Sequence, residues 1–194
     1  MVQADLDIVS PLCPLPEADS ARLLSYLRRI ADASLTAPEP TSKFIISHKR
    51  KHMHPGRGAS VNVLTVQCLN ELDGYRTDSH SAAWMARDVA GHAWDAFSQF
   101  WRNGASTLDQ MYETLQYNEV PKDVYAEDLL GLTKQGWVRE EAGTYHVTEA
   151  GKKTRDEAET LTDTYFFAAW GCLGESELED LSSLANQLRD GLKQ

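Results

Sequence analysis

The order of secondary-structure signals between residues 107 and 163 constrains the fold more than any other feature of the chain. Two helices are predicted over 107–116 and 121–135, the second with a proline in its first turn and a glycine just after its end. Residues 137–147 then predict two short strands joined by a tight turn, and Thr148 is predicted to cap a further helix. Helix, helix, hairpin, helix is the order of elements in a winged helix.

The sequence therefore predicts a mainly α protein with a small β-hairpin. A winged helix-turn-helix domain is expected over 107–194, ending in a C-terminal helix, and an aromatic-rich helical region over 1–106. We expect the first region to serve dimerisation or effector sensing. Within it, segment 43–58 is dense in Lys, Arg and His and is predicted to form an exposed basic loop, with a short strand at 44–47.

Charge is distributed unevenly between these two regions. Residues 1–106 carry 11 Lys and Arg against 11 Asp and Glu, whereas residues 107–194 carry 8 against 18. The whole net charge of −10 therefore lies in the winged-helix region. Because affinity for DNA comes largely from neutralising phosphates, this distribution opposes strong non-specific DNA binding.

Two motifs in the C-terminal region resemble a known family. Residues 129–163 read LLGLTKQGWVREEAGTYHVTEAGKKTRDEAETLTD; Leu132–Val138 ends a helix in the pattern L-x-x-x-G-W-V, and Val147–Gly151 reads V-T-E-A-G ahead of a long helix. Over about 107–192 these motifs resemble the MarR family of bacterial transcription regulators. The resemblance implies a homodimer that binds double-stranded DNA and releases it when a small molecule binds.

The resemblance also implies which segments contact DNA, namely the second helix and the wing. Base edges are read by Arg, Lys, Asn and Gln side chains, and a basic loop can lie along the phosphate backbone. The candidate DNA-binding residues are Lys122, Lys134 and Gln135 on the helix, Arg139 on the wing, and Lys49, Arg50 and Lys51 in the basic loop.

Acidic neighbours leave a second interpretation open. Glu140 and Glu141 follow Arg139, and the outer positions of the second helix also include Asp123, Glu127 and Asp128. Carboxylates at these positions repel phosphates. The alternative is a winged-helix module that does not bind DNA and acts in small-molecule binding or protein interaction.

An aromatic stretch supplies the candidate ligand-binding residues. Helices are predicted over 61–72 and 80–102, separated by a turn at 73–74, and the second is apolar nearly all round. Such a helix lies in a core, in a dimer interface or against a pocket for a flat apolar or aromatic effector. If a pocket is present, its candidate residues are Tyr75, His80, Trp84, His92 and Trp94.

Other site chemistries have weaker support. His48, His52 and His54 have a spacing that metal sites use, but Lys49 to Lys51 lie among them and we assign no metal. Asp78 and His80 could form an acid–base pair, although Asp78 is better interpreted as a helix cap. No nucleotide, hydrolase or metalloprotease motif occurs. We therefore expect a cytoplasmic regulator with no catalytic residues, no cofactor and no membrane partner.

Overall fold

The computed structural model describes residues 15–56, 58–102 and 104–193, which form eight α-helices and one two-stranded antiparallel sheet. In chain order the elements are α1 (Glu17–Thr36), α2 (Phe44–His52), α3 (Val61–Met85), α4 (Gly91–Arg102), α5 (Leu108–Leu115), α6 (Lys122–Lys134), β1 (Val138–Glu141), β2 (Thr144–Val147), α7 (Glu149–Ala168) and α8 (Glu175–Gly191). This confirms the predicted fold class, mainly α with a small hairpin. None of the helices among these residues is long and apolar enough to cross a membrane.

The described residues divide into two compact units. The central unit comprises 83–161, and the terminal unit comprises the described residues up to 82 together with those from 162 onward. This division differs from the boundary at 106 that the sequence predicts. Helix α4 belongs with the winged helix, and the C-terminal helix α8 belongs with the N-terminal helices.

The terminal unit is built around the contact of α1 with α8. Leu23, Leu27 and Ile30 recur at helical spacing on α1 and are buried. Helix α8 contributes Leu181 and Leu184 to the same core, which also includes Leu72 and Tyr75. At the edge of this contact Arg22 forms an ion pair with Asp180 at 2.6 Å. Two leucines of α8 are therefore buried within the chain, whereas Leu192, just after the helix, is 54% exposed.

Helix α3 is longer than the sequence indicates. The predicted turn at 73–74 lies in the middle of α3, and the predicted helix 80–102 is interrupted between Met85 and Gly91. Gly74 is required for packing: a Cβ there would lie 3.1 Å from the backbone nitrogen of Ile46 and 3.0 Å from Cδ of Lys49. Gly74 thus marks a close approach of α2 to α3.

The sequence-based prediction for the basic segment 43–58 is also wrong. Residues 44–52 form α2, not a strand and an exposed loop. Lys43, at the N-cap position, makes no side-chain capping bond, and the backbone N–H groups of Ile45 and Ile46 donate to the carboxylate of Asp78 at 3.0–3.1 Å. Asp78 therefore caps a helix that lies 32 residues earlier in the chain, and it does not begin a helix of its own.

Asp78→Ala is expected to lower the free energy of unfolding by about 2 kcal/mol, because two backbone N–H groups lose a buried charged acceptor. Chemical denaturation followed by circular dichroism measures this loss. The matched control is Asp73→Ala, which removes an exposed carboxylate that pairs with Lys49 of the same helix α2. That variant is expected to change stability by less than about 0.5 kcal/mol. Equal small losses in both variants would contradict the capping role.

Candidate nucleic-acid interface

Three helices of the central unit pack against one another around a single core. Helices α4, α5 and α6 contact one another, and their buried side chains include Phe97, Met111, Leu115, Tyr125 and Leu129, each at most 1% exposed. The first helix of this tri-helical arrangement is α4, which the sequence-based boundary placed outside the domain. The large aromatic residues of α4 are therefore core residues of the helix-turn-helix.

Local interactions set the start of α5 and the connection from α5 to α6, the two helices of the helix-turn-helix motif. Thr107 caps α5: its hydroxyl accepts a hydrogen bond from the backbone nitrogen of Gln110 at 3.3 Å. A 3₁₀ turn at Gln116–Asn118 follows, and Glu119 adopts a left-handed conformation with φ 57°. Helix α6 then starts directly after Pro121. This is the helix–turn–helix connection that the sequence predicts.

The end of α6 is set by Gly136, which has the positive φ (74°) predicted for it. The backbone nitrogen of Trp137 donates to the carbonyl of Leu132, and that of Gly136 donates to the carbonyl of Thr133, both at 3.0 Å. These two bonds form a Schellman motif, which needs a residue free to adopt positive φ at the position of Gly136. The chain thereby leaves the helix and enters the wing without a loop.

The wing is a short hairpin. Val138 pairs with Val147 and Glu141 with Thr144, and the turn residues Ala142 and Gly143 have φ of 50° and 81°. Two positive φ values in a two-residue turn match the right-handed twist of the strands. The backbone nitrogen of Tyr145 also donates to the carbonyl of Ser106 at 2.8 Å, so the hairpin is attached to the segment that precedes α5.

The V-T-E-A-G motif joins the wing to α7. The hydroxyl of Thr148 accepts a hydrogen bond from the backbone nitrogen of Gly151 at 3.0 Å, and the backbone nitrogen of Thr148 donates to the carbonyl of Trp137. Thr148 thus caps α7 as predicted. A Cβ at Gly151 would lie 2.1 Å from the carbonyl oxygen of Trp137, so only glycine permits this approach.

The exposed face of α6 carries both charge signs and one apolar side chain. Its exposed residues are Lys122, Asp123, Glu127, Leu130, Gly131 and Lys134, with Gln135 just after the helix. Leu130 is 59% exposed. Asp128, which the sequence analysis counted with this surface, is instead mostly buried, and its carboxylate lies 2.5 Å from Nδ1 of His92. The face is therefore less acidic than predicted.

The cations of the central unit that are predicted to contact DNA differ in whether a carboxylate already neutralises them. Lys122 forms an ion pair with Asp109, and Arg139 forms one with Glu141 at 3.1 Å. Lys134 is exposed, and within the described part of the chain it forms no ion pair. Gln135 is exposed beside it. The end of α6 is thus the part of this surface with an uncompensated positive charge.

The cations of α2 are mostly used within the terminal unit. Lys49 pairs with Asp73 at 2.7 Å, and Arg50 pairs with both Asp32 and the buried Glu71 at 2.7 Å. Lys51 is exposed and has no ion-pair partner among the described residues. Two of the three charges predicted to lie in a free basic loop are therefore held in ion pairs within the terminal unit.

The structure divides the five candidate ligand-binding residues between the two units. Tyr75 and His80 belong to the terminal unit. Tyr75 is fully buried, with its hydroxyl 2.9 Å from the carbonyl of Glu39 and 3.0 Å from that of Tyr165. Nδ1 of His80 lies 3.2 Å from the hydroxyl of Thr162. Both side chains are engaged within their own unit.

The other three candidates belong to the central unit. Trp84 stacks on Trp94 with ring centroids 5.6 Å apart, and Trp94 is 1% exposed. His92 contacts Asp128, as described above. These contacts connect α4 to the end of α3 and to α6. Of the alternatives predicted for this aromatic stretch, a position in the core fits Trp94 better than a position in a ligand pocket.

A buried guanidinium lies against the same aromatic cluster. Arg155 of α7 is 3% exposed, with its Cζ 4.1 Å from the ring centre of Trp94 and 4.8 Å from that of Trp101. Burial lowers the pKa of Arg155 to about 10. Its Nη2 reaches Glu159 at 3.4 Å, whereas Nε and Nη1 have no hydrogen-bond partner among the described residues. No pattern in the sequence indicates that this arginine is buried.

An apolar cavity of about 720 Å³ in the terminal unit was also missed. Its walls come from α1, α3, α7, α8 and the turn after α7, and they include Leu23, Leu72, Phe166, Trp170, Leu181 and Leu188. The leucines of α1 and α8 are the available signal in the sequence, but the pattern of one helix does not distinguish a cavity wall from an ordinary core. No group of three potential metal ligands is brought together among the described residues.

A tri-helical core with a two-stranded wing defines a winged helix-turn-helix protein. Residues 15–194 match the model of a helix-turn-helix family, and because this match covers nearly the whole chain, the protein belongs to that family. No curated protein and no solved structure matches it. The family includes the terminal unit as well as the winged helix, so the two units together are characteristic of it.

Proposed function

We propose that this protein is a DNA-binding transcription regulator of the MarR-like type. Helix α6 is the element that would enter the major groove, and the wing would lie along the adjacent backbone. The observation that carries the proposal is the exposed pair Lys134 and Gln135 at the end of α6, followed closely by Arg139 on β1. Membership of a helix-turn-helix family supports it and favours regulation over catalysis.

The number of cations on this surface predicts how strongly the affinity for DNA depends on salt concentration. Lys122, Lys134 and Arg139 give three cations in each protomer, and two of them already pair with carboxylates. Six phosphate contacts in a dimer would give a salt slope of about −5 in a log–log plot. In the terminal unit, Lys51 is the cation of α2 that we propose as an additional phosphate contact, since Lys49 and Arg50 are engaged in ion pairs.

Lys134→Ala is expected to weaken binding to all duplexes and to reduce the salt slope by about 2 in a dimer, because one phosphate contact per protomer disappears. Fluorescence anisotropy at several salt concentrations measures both quantities, with random duplex and with the promoter region of the protein's own operon. Lys51→Ala tests the α2 contact in the same way. Lys193→Ala removes an exposed lysine near the C-terminus and is the matched control. Unchanged binding by Lys134→Ala would contradict the proposed interface.

We also propose a homodimer, because paired recognition helices read paired half-sites on DNA. The aromatic residues of α4 no longer motivate it, since Trp94 and Phe97 are buried in the central unit. What supports it is the apolar surface that remains, including Phe44 at 73% and Met85 at 64% exposure. Sedimentation at micromolar protein is expected to give about twice the chain mass of 21.7 kDa. A monomer across that range would contradict the dimer.

A second candidate function is a winged-helix module for protein interaction. It is favoured by Leu130, which is exposed in the middle of α6 between Glu127 and Lys134. An apolar side chain at the centre of a mixed-charge surface is typical of protein interfaces. The titrations above separate the two candidates: if neither duplex is bound at micromolar protein and low salt, the interaction module replaces the regulator.

We further propose that a small apolar or aromatic effector binds the protein and releases it from DNA. The sequence-based candidates Tyr75, His80, Trp84, His92 and Trp94 all make contacts within their own units. An effector that displaced any of them would therefore have to break existing packing. Its effect is measured as a loss of anisotropy when the compound is added to the DNA complex.

A further inference from the structure

The apolar cavity of the terminal unit has the properties of a small-molecule site. Its volume of about 720 Å³ is in the range of ligand pockets, and aliphatic and aromatic side chains form most of its walls. Leu69, Phe167 and Leu192 line it and are 42%, 52% and 54% exposed, so the cavity opens to the surface. A ligand that fills it removes these side chains from water, which favours binding.

The charged groups of the lining indicate the charge of the ligand. Each charged lining residue already has an ion-pair partner: Asp73 with Lys49 at 2.7 Å, Arg76 with Asp163 at 3.6 Å and Arg189 with Asp190 at 2.9 Å. An ionic ligand would lose its hydration without gaining an uncompensated counter-charge, so a neutral ligand is favoured. The uncharged polar residues of the lining, Ser182 and Asn186, lie one turn apart on α8 and provide for one hydrogen-bonding group.

A second copy of the chain is the alternative occupant of this cavity. In a two-fold contact residue i of one copy meets residue j of the other, so a second copy fills a concave patch only by inserting a convex element of the same patch. The volume and the lining described above are those of a small-molecule pocket.

We propose that this cavity binds a neutral, largely apolar molecule with an aromatic or acyl body and at most one hydrogen-bonding group. The inference rests on the effector-responsive part of the proposed function and gives that effector a site and a chemical class. The site lies wholly within the terminal unit. Its occupation is therefore measurable without DNA.

Two fluorescent compounds with the same ring system test both the site and its charge preference. N-phenyl-1-naphthylamine is neutral, and 8-anilinonaphthalene-1-sulfonate adds one negative charge. The 194-residue protein is expected to bind the neutral compound saturably, one molecule per chain. The sulfonate is expected to bind at least about tenfold more weakly, because its charge finds no free partner.

The variant Ala185→Trp places a large side chain in the cavity from an exposed position of α8. It is expected to weaken binding of the neutral compound by about tenfold or more. Ala150→Trp, the same change at an exposed position of the central unit, is the matched control and is expected to bind normally. Leu69→Gln gives a second variant at a half-exposed lining position, and circular dichroism checks that each variant is folded.

Three results would overturn the proposal: no saturable binding, equal affinities for the two compounds, or unchanged binding by both Ala185→Trp and Leu69→Gln. A fourth result would also overturn it: the affinity for the neutral compound falls as the protein concentration rises, and Ala185→Trp is monomeric where the natural protein is a dimer. Together these two observations would identify the cavity as an interface between copies of the chain. Failure to bind DNA would leave all these measurements unaffected. Failure of the cavity and failure of the regulator are therefore distinguishable.

Discussion

Gly151→Ala is expected to lower the free energy of unfolding by about 3 kcal/mol or more, which corresponds to a fall of about 10 °C in Tm for a chain of this size. The added Cβ would lie 2.1 Å from the carbonyl oxygen of Trp137 and 2.8 Å from its carbonyl carbon. A Cβ atom essentially never lies within 3.0 Å of a non-bonded backbone atom. The start of α7 and the beginning of the wing must therefore move apart.

Neither side of this contact is free to move. The carbonyl of Trp137 also accepts the backbone N–H of Thr148 at 3.0 Å, and the hydroxyl of Thr148 is 2.6 Å from the carbonyl of Gly136. Separating α7 from the wing breaks these bonds together. Thermal and chemical denaturation followed by tryptophan fluorescence measures the loss.

Gly131→Ala is the matched control. Gly131 lies on the exposed face of α6, and a Cβ there meets no atom within 4 Å. The same substitution is expected to stabilise the protein by about 0.5–1 kcal/mol, because alanine loses less conformational freedom than glycine in a helix. A small effect of the same sign in both variants would show that the V-T-E-A-G motif tolerates a side chain.

The parts of the fold that the sequence predicts are those governed by neighbouring residues. Thr107 and Thr148 cap the helices that they directly precede, and Gly136 ends α6 with the positive φ expected of it. The order of the helix-turn-helix and its hairpin follows from such local signals. The same is true of the exposed candidates Lys134 and Gln135, which are identified by their distance from the apolar stripe of a single helix.

The parts that the sequence does not reveal depend on residues far apart in the chain. The carboxylate that caps α2 is supplied by Asp78, and the charges of Lys49 and Arg50 are neutralised by residues of other helices. Gly74 resembles a turn signal until α2 is placed against it. The cavity is formed by several elements, so no single helix pattern distinguishes its lining from an ordinary core.

The buried guanidinium of Arg155 leads to the last prediction. Arg155→Ala is expected to lower the free energy of unfolding by about 3 kcal/mol, because it removes contacts with Trp94 and Trp101 and leaves a cavity in the core of the central unit. Arg155→Met keeps most of the packing and removes a charge whose Nε and Nη1 have no partner among the described residues. It is expected to lie within about 1 kcal/mol of the natural protein.

The pH dependence distinguishes loss of charge from loss of packing. Partial desolvation raises the pKa of Asp95, whose residue is still exposed at the surface of α4, and the positive charge of Arg155 opposes that rise. Without the charge the pKa of Asp95 rises further, so the folded variant binds more protons than the unfolded chain over a wider pH range. A folded state that binds more protons than the unfolded chain becomes more stable as the pH falls. The free energy of unfolding of Arg155→Met, measured relative to that of the natural protein, is therefore expected to rise as the pH is lowered from 7.5 toward the pKa of Asp95. Equal large losses in Arg155→Ala and Arg155→Met, independent of pH, would instead mean that the guanidinium itself is required, and that the aromatic cluster of the helix-turn-helix core is assembled around its charge.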